Sequence, residues 1–328
     1  MKLSQLPRFP LACLPTPIME LKRLSAKLGG PKILIKRDDL NGLAFGGNKT
    51  RKLEFLIGEA LAHNADTVVT GGAAQSNHCR QTAAAAAVAG LGCHLVLGGE
   101  EPELATGNLL LDQLLGASVH WSGSTRKGEK IPIIADQLRA QGKRPYVIPY
   151  GGSNEIGAVG FVEATAELAA QSDGRALGIT HIVFASSSCG TQAGMALGAR
   201  LFMPKVGVIG IRIDKDETDL PFEEQLPKIA NATAERIGVD ERFTRGDFQI
   251  RDHYLGGGYG VVGDLERNAI KLLAATEGII LDPVYTGRAM GALIDLIQRG
   301  EFTKSDCVLF WHTGGTPAVF GYARELAV

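Results

Sequence analysis

The sequence predicts an α/β protein in which helices cover both faces of a parallel sheet. Short runs rich in β-branched residues alternate along the chain with longer segments of helical periodicity. Several of these runs lead directly into glycine, serine or proline, where strands of such sheets meet their connecting loops. With 328 residues and 45% hydrophobic content, the chain is long enough for two domains of moderate size.

Eight short apolar runs are predicted as strands, and the segments between them as helices. The predicted strands are 33–36, 67–70, 94–97, 146–149, 181–185, 206–213, 279–281 and 308–311. Helical spacing begins near residue 50, and an alanine-rich helix is expected from residue 79. Ligands of such folds bind beyond the carboxyl ends of the strands, so a binding site is expected among the loops that follow the strands.

Composition excludes several classes of partner. A formal net charge of −1 without long charged blocks argues against nucleic acid or an anionic membrane, and favours a small-molecule ligand. No apolar run is long enough to cross a bilayer, and residues 1–10 lack the core of a secretion signal, so we expect a cytoplasmic protein. Five cysteines without a Cys-x-x-Cys pair predict free thiols and no metal site.

The most informative segment is 45–54, which presents Lys49 from a Gly-Gly-Asn turn at the start of a helix. A lysine in this position can bond covalently to an aldehyde, and the glycines allow the backbone to approach a ligand closely. Taken alone, the pattern also fits an ordinary loop and a solvated helix face.

Two further strand ends lead into helices. In segment 70–78, Ser76, Asn77 and His78 open the alanine-rich helix, whose unpaired N–H groups suit a carboxylate. An ordinary N-cap and a buried histidine explain the same residues. Segment 185–194 is a small-residue turn that suits a phosphate, with Thr191 as an added donor, although a surface turn is an equal alternative. Neither the Gly-x-x-x-x-Gly-Lys-Ser/Thr nor the Gly-x-Gly-x-x-Gly pattern is present.

Two tyrosines stand beside glycine-rich or strand-end segments. Tyr259 lies among four glycines in 256–260, and Tyr285 follows Asp-Pro-Val in 281–287. A buried tyrosine hydroxyl needs a hydrogen-bond partner, so both residues are candidates for a polar site, with an exposed ring or core packing as the alternatives. A final strand end, 310–316, carries His-Thr-Gly-Gly.

These motifs together resemble one family of pyridoxal-phosphate (PLP) enzymes, the one that includes 1-aminocyclopropane-1-carboxylate (ACC) deaminase and D-cysteine desulfhydrase. Gly-Gly-Asn-Lys-x-Arg-Lys-Leu-Glu, Gln-Ser-Asn-His, Gly-x-Gly-Tyr-Gly, Asp-Pro-Val-Tyr and His-x-Gly-Gly occur in this order between residues 8 and 315. The resemblance implies PLP as cofactor and the fold type II of tryptophan synthase β, with two open twisted sheets. It also implies a homodimer, a larger domain (1–52 and 150–328) and a smaller mobile domain (53–149).

The resemblance also implies roles for the matched residues. Lys49 is expected to carry the cofactor and then act as general base, and Asn77 to bond the cofactor's phenolic oxygen. Ser76 and the helix start through His78 are expected to bind the substrate carboxylate. Tyr259 and Tyr285 are expected to face the substrate, and one of them to handle the leaving group. The expected phosphate ligands are Ser188, Cys189, Gly190, Thr191 and Gln192.

Two positions favour one branch of this family. ACC deaminases have glutamate after the motif tyrosine and leucine in His-x-Gly-Gly, whereas this chain has Thr286, expected at the substrate, and Thr313. Thr313 can hydrogen-bond the pyridine nitrogen but cannot balance a charge on it, so the electron sink is weaker. Because elimination of a thiol from Cβ does not need a deep sink, the chain resembles D-cysteine desulfhydrase most.

Three alternatives remain open at this point. The first is another β-eliminating lyase, such as an L-cysteate sulfo-lyase, for which Arg80 or Arg288 could bind the sulfonate. The second is ACC deaminase, and the third is a PLP-binding protein without catalysis.

Overall fold

The computed structural model describes residues 1–215 and 220–327, and within them the chain forms ten strands and twelve α-helices. The strands are β1 (Ile18–Glu20), β2 (Lys32–Arg37), β3 (Thr67–Ala73), β4 (Gly92–Gly98), β5 (Ser118–Trp121), β6 (Pro145–Val147), β7 (His181–Ser186), β8 (Gly207–Arg212), β9 (Gln249–Arg251) and β10 (Cys307–His312). The helices are α1 (Lys22–Leu28), α2 (Asn48–Ala62), α3 (Asn77–Ala89), α4 (Gly107–Leu114), α5 (Ile131–Ala140), α6 (Glu155–Arg175), α7 (Gly190–Phe202), α8 (Phe222–Ile237), α9 (Asp264–Glu277), α10 (Thr286–Gln298), α11 (Ala318–Gly321) and α12 (Ala323–Leu326).

The larger sheet has six strands in the order β1-β2-β10-β7-β8-β9. Only β1 runs antiparallel to its neighbour, and the other pairs are parallel. The last strand in sequence, β10, therefore lies between β2 and β7 near the middle of the sheet. Its carboxyl end at His312 lies beside the end of β2, next to the turn that carries Lys49.

Helices cover both faces of this sheet, as the alternating side chains of its strands show. On one face, Ile33 and Phe310 share an apolar core with α9 and α10. On the other face, Leu34 and Trp311 share a core with α6 and α7. Successive residues of one strand point to opposite faces, so strands buried on both sides require nearly continuous apolar runs. The predicted α/β class is confirmed.

The smaller sheet consists of β3 to β6 in the order β5-β4-β3-β6, and all its pairs are parallel. Its inner face packs on the alanine-rich helix α3, where residues 83–86 are buried and allow close approach of helix and sheet. On the opposite face, Val69 and Val96 pack on Ile131 and Leu138 of α5. The division into domains at residues 52/53 and 149/150 stays a prediction.

Seven of the eight predicted strands are confirmed with shifted ends, and the prediction of a strand at 279–281 is wrong. This segment is irregular between α9 and α10, although buried Ile279 and Leu281 flank an exposed Ile280 in the alternation typical of a strand. The Ile280 carbonyl bonds the His312 ring instead of a neighbouring strand. Three further strands, β1, β5 and β9, are three or four residues long, lie at sheet edges and are not predicted by the sequence pattern.

The sequence also predicts free cysteines and no apolar segment long enough to cross a bilayer. All five cysteines are free, and all but Cys13 are buried. Within residues 1–215 and 220–327, no helix is both long and apolar enough to span a membrane.

Candidate active site

Lys49 lies at the start of α2, as predicted, and the turn before it depends on glycine. Gly46 has φ 65° and Gly47 has φ 132°, both in the region that favours glycine. A Cβ on Gly47 would lie 2.7 Å from the Gln81 amide nitrogen and 3.0 Å from the Thr313 carbonyl oxygen, so a larger residue would also displace these neighbours. The Lys49 Nζ atom lies 3.3 Å from the carbonyl oxygen of Gly151. Burial of the amine lowers the pKa of Lys49 to about 8.

A second lysine, Lys52, points to the same place and was missed. Its side chain is fully buried, and Nζ donates to the Gly151 carbonyl oxygen at 3.1 Å and to the Ser153 hydroxyl at 2.9 Å. Burial, and then the charge of Lys49, lower the pKa of Lys52 well below its ordinary value. Residues three apart share a helix face, so the Lys-x-x-Lys spacing was the available signal.

The serine-rich turn after β7 lies beside Lys52. A Cβ on Gly190 would lie 2.9 Å from the Lys52 Nζ atom. The Ser153 and Ser188 hydroxyls are 2.8 Å apart, and the Gly190 N–H donates to Ser153 at 3.3 Å. Cys189 has φ 66° and forms no side-chain cap on α7, so the positive end of this helix faces the turn. The arrangement suits a phosphate.

Two of the predicted phosphate ligands turn their side chains away. Cys189 is buried in the core, with Sγ 3.6 Å from the Phe222 carbonyl oxygen. Gln192 is fully buried, and its amide donates to the Gln249 carbonyl in β9 at 3.1 Å. Only their main-chain atoms can therefore face an anion. Thr191 keeps its side chain at the site, where its hydroxyl accepts a bond from Asn48 at 3.1 Å.

The start of α3 places Asn77 at the site. Ser76 is the N-cap, and its hydroxyl oxygen accepts from the Cys79 N–H at 3.2 Å, which leaves the hydroxyl hydrogen free to donate elsewhere.

Burial, and then the charges of Lys49 and Lys52, lower the pKa of His78 well below its ordinary value, so this ring is neutral. His78 Nε2 lies 2.9 Å from the Thr70 hydroxyl.

Tyr259 and Tyr285 are brought together as a pair. Their hydroxyl oxygens are 2.6 Å apart, and the rings meet edge to face at 75°. Burial raises the pKa of both phenols well above the ordinary value, so both remain protonated at neutral pH. The Arg126 guanidinium covers the Tyr259 ring at 4.3 Å and pairs with Asp214 at 3.0 Å.

Thr286 does not line the cavity and lies within the turn that opens α10. Its hydroxyl donates to an Asp282 carboxylate oxygen at 2.7 Å and accepts from the Asp282 N–H at 2.8 Å. Asp282 also accepts from the Val284 and Tyr285 N–H groups. Thr286 is fully buried and therefore positions the turn that carries Tyr285. Thr313 lies at the site, and its carbonyl accepts from the Asn48 N–H at 3.0 Å.

These groups meet in one cavity. Its lining residues come from the start of α2, the start of α3, the end of β7 and the turn after it, and the loops around α10 and β10. They are Asn48, Lys49, Asn77, Ala185, Ser186, Ser187, Ser188, Cys189, Thr191, Tyr285 and Thr313. Of the predicted residues, Ser76, His78, Gly190, Gln192, Tyr259 and Thr286 lie around the cavity without lining it. The predicted strand-end loops thus converge on Lys49.

The two arginines considered for a sulfonate are both engaged elsewhere. Arg80 donates to the Gly46 carbonyl at 2.7 Å and to the Asn108 amide oxygen at 2.8 Å. Arg288 pairs with Glu266 at 2.5 Å and bonds the carbonyl oxygens of four loop residues. Both side chains are buried outside the cavity lining, so neither presents a free cation to a substrate.

Comparisons with known proteins identify the family of this chain. The family model described as pyridoxal-phosphate dependent enzyme matches residues 10–314. The chain is 45% identical to D-cysteine desulfhydrase of Klebsiella pneumoniae (strain 342), over 99% of this chain and 98% of that protein. It is 44% identical to D-cysteine desulfhydrase of Salmonella newport (strain SL254), over 98% and 97% of the two chains.

Solved structures show the same relationship. A crystal structure of an ACC deaminase homologue superposes with a TM-score of 0.90 and 38% identity, covering 99% of this chain and 97% of the other. O-ureido-L-serine synthase, with a TM-score of 0.65 and 18% identity over 93% and 90% of the two chains, shares the fold. The type II fold and the resemblance predicted from the motifs are confirmed. The chain therefore belongs to the pyridoxal-phosphate dependent enzymes, and PLP is its cofactor.

Proposed function

We propose that this protein is a D-cysteine desulfhydrase, which converts D-cysteine to pyruvate, ammonia and hydrogen sulfide. The observation that carries the proposal is the single cavity in which the Lys49 amine, the 188–191 turn and the Tyr285 hydroxyl meet. The choice of D-cysteine is supported by the 45% identity to a D-cysteine desulfhydrase over nearly the whole chain.

The residues around the cavity fit PLP. The Ser186 hydroxyl is buried in the cavity wall without a hydrogen-bond partner among the described residues, so the site has an unused polar group. The start of α7, the Thr191 hydroxyl and Lys52 would hold the phosphate. Asn77 would bond the phenolic oxygen, and Thr313 the pyridine nitrogen. Lys49 would bond the aldehyde.

Lys49 is suited to move the substrate proton. When bound, PLP withdraws electrons from the Cα atom of an amino acid joined to it, so the Cα proton becomes acidic. A pKa of about 8 leaves a substantial fraction of the Lys49 amine neutral near neutral pH, and a neutral amine can accept a proton. The amine is confined at the cavity wall beside Gly151, which limits the positions from which it acts.

The tyrosine pair is suited to the leaving sulfur. Tyr285 lines the cavity, and Tyr259 lies behind it at hydroxyl contact. Because burial raises the pKa of both phenols, they act as hydrogen-bond donors and weak acids toward a departing thiolate. The Ser76 hydroxyl and the N–H groups that begin α3 would bind the substrate carboxylate.

The wider organisation is proposed from the family. We place a larger domain in residues 1–52 and 150–328 and a smaller, mobile domain in 53–149. The protein is proposed to act in the cytoplasm as a homodimer on a small amino acid, without nucleic acid or membrane partners.

The test is a substrate panel on purified, PLP-loaded protein with identification of each product. We expect sulfide and pyruvate from D-cysteine, and much slower release from L-cysteine. Sulfite from L-cysteate as the fastest product would contradict the proposal, as would 2-oxobutyrate from ACC. Bound PLP without turnover of any of these amino acids would indicate a protein that has lost catalysis. The buried, engaged state of Arg80 and Arg288 argues against the sulfonate substrate.

A further inference from the structure

The buried side-chain amides of Asn77 in α3 and Asn108 in α4 form a hydrogen-bonded pair that connects the two helices. The Asn108 amide nitrogen donates to the Asn77 amide oxygen at 2.8 Å and to the Gln75 carbonyl at 2.9 Å. Arg80 donates to the Asn108 oxygen at 2.8 Å and to the Asn77 oxygen at 3.3 Å. Asn77, Arg80 and Asn108 are each at least nine-tenths buried.

Only one orientation of both amides satisfies this network. Arg80 has donors alone, so the Asn108 group that faces it must be the oxygen. The Gln75 main-chain carbonyl is an acceptor alone, so the Asn108 group that faces it must be the nitrogen. That same nitrogen faces Asn77, whose nearer atom must therefore be the oxygen. The amide orientation of Asn77 is set by two groups whose hydrogen-bonding roles cannot reverse.

The consequence is a free donor on the cavity side of Asn77. Its Nδ2 makes no hydrogen bond to any residue in 1–215 or 220–327, although the side chain lines the cavity. The atom points toward the loop after β10, because a Cβ on Gly315 would lie 2.6 Å from it. A reversed amide would direct an oxygen there and would repel an anionic oxygen of a ligand.

We propose that Asn108 and Arg80 are positioning residues that hold Asn77 with its amide N–H group directed into the cavity, toward the phenolic oxygen of the cofactor. The inference rests on the proposed function only for the role of Asn77. Asn108 belongs to the smaller sheet's connections and Arg80 also bonds the Gly46 carbonyl in the Lys49 turn, so the network links that turn to α3 and α4.

The charge of Arg80 strengthens the donor. Burial lowers the pKa of Arg80 to about 10, so the guanidinium remains charged at neutral pH. The carboxyl groups of Asp112 and Asp282 act on the pKa of Arg80 in the opposite direction and raise it. Burial raises the pKa of Asp112 well above its ordinary value, and neither of its oxygens has a hydrogen-bond partner among the described residues. A cation bonded to the Asn77 oxygen polarises that amide and makes its N–H groups better donors.

The test replaces Asn108 with aspartate, which keeps its shape but turns the donor into an acceptor. The carboxylate repels the Asn77 oxygen and favours the reversed amide. We expect Asn108→Asp to weaken PLP affinity about 10- to 100-fold, since a hydrogen bond to a charged group is lost. We also expect the visible absorbance band of the bound cofactor to shift. Both are measured by titrating apoprotein with PLP.

A matched control is Asn231→Asp on α8. The Asn231 side-chain amide also bonds main-chain atoms. It donates to the Phe243 carbonyl oxygen at 3.0 Å and accepts from the Phe243 N–H at 2.7 Å. This variant is expected to lower the unfolding temperature while leaving PLP affinity and the absorbance band unchanged. Equal effects of the two variants on the cofactor would overturn the proposal, because they would reflect a general loss of structure.

A second variant covers the case in which Asn108→Asp does not fold. Asn108→Leu is similar in size and removes the donor without adding a charge, and it is expected to weaken PLP affinity in the same direction. Wild-type affinity and an unchanged band in a folded Asn108→Leu protein would overturn the proposal. These readouts use no substrate, so they stand even if the wild-type protein fails to release sulfide from D-cysteine, which would contradict the proposed function alone.

Discussion

The side chains of Lys49 and Lys52 share one acceptor, the carbonyl oxygen of Gly151, at 3.3 and 3.1 Å. Burial lowers the pKa of both amines, and the charge of Lys49 lowers the pKa of Lys52 further. An anion beside Lys52 favours its charged form again, and a charged Lys52 disfavours a charge on Lys49. Phosphate binding at one lysine therefore helps to keep the other neutral and nucleophilic.

The first prediction concerns the pH dependence of Lys49. Only the neutral form of the amine attacks an aldehyde. With the lowered pKa, about half of the Lys49 amines are neutral at pH 8, whereas well under one per cent would be neutral at the ordinary pKa of lysine. The rate of PLP incorporation into apoprotein should rise with pH and level off above about 8. Stopped-flow absorbance measures this rate.

The matched control is Lys49→Ala, which should bind PLP without the visible band and should not release sulfide. A rate that continues to rise to pH 10 would show that Lys49 keeps an ordinary pKa. Full turnover by Lys49→Ala would contradict its role as the amine that bonds PLP.

The second prediction separates the phosphate from the rest of the cofactor. Lys52→Met removes a buried charged donor of similar length, so PLP affinity should fall by about 1.5–3 kcal/mol. Binding of pyridoxal, which lacks the phosphate, should change little. Equilibrium titration with both compounds provides the comparison. Equal weakening for PLP and pyridoxal would mean that Lys52 acts on the fold of α2 and not on the phosphate.

The third prediction concerns the tyrosine pair. Tyr285 lines the cavity and Tyr259 contacts it from behind, so Tyr285→Phe should lower kcat for D-cysteine more than Tyr259→Phe. Loss of a proton donor is expected to reduce kcat about 10²- to 10⁴-fold. Sulfide release by both variants and by the double variant is measured at saturating substrate.

The double variant tests whether the two hydroxyls act as one unit. Because they share a hydrogen bond, the combined loss should be smaller than the product of the single losses. A larger effect of Tyr259→Phe than of Tyr285→Phe would reverse the assignment.

The sequence identified the site through local motifs but missed its long-range members. Lys49, Asn77 and Tyr285 stand in short motifs at strand ends, and helical or alternating periodicity predicted most of the elements that carry them. Asn108 lies 31 residues from Asn77 in sequence, so no local pattern connects the two amides. The resemblance implies that Thr286, at the position of the ACC deaminase glutamate, lies at the substrate, yet one residue along a helix start from Tyr285 turns a side chain by about 100°.

The last prediction follows from that position of Thr286. Its hydroxyl satisfies both the N–H and the carboxylate of Asp282, and all these atoms are buried. Thr286→Val keeps the shape but leaves the Asp282 N–H without its partner, which should lower the free energy of unfolding by about 1–3 kcal/mol. For a chain of this size, a loss of 1 kcal/mol corresponds to a fall of roughly 1–2 °C in Tm. Thr286→Ser keeps the hydroxyl and should remain close to the wild-type Tm in the same thermal scan, with both variants loaded with PLP. Since Thr286 does not line the cavity, KM for D-cysteine should change little in either variant. A Thr286→Val protein with normal Tm and a greatly raised KM would return Thr286 to the substrate site.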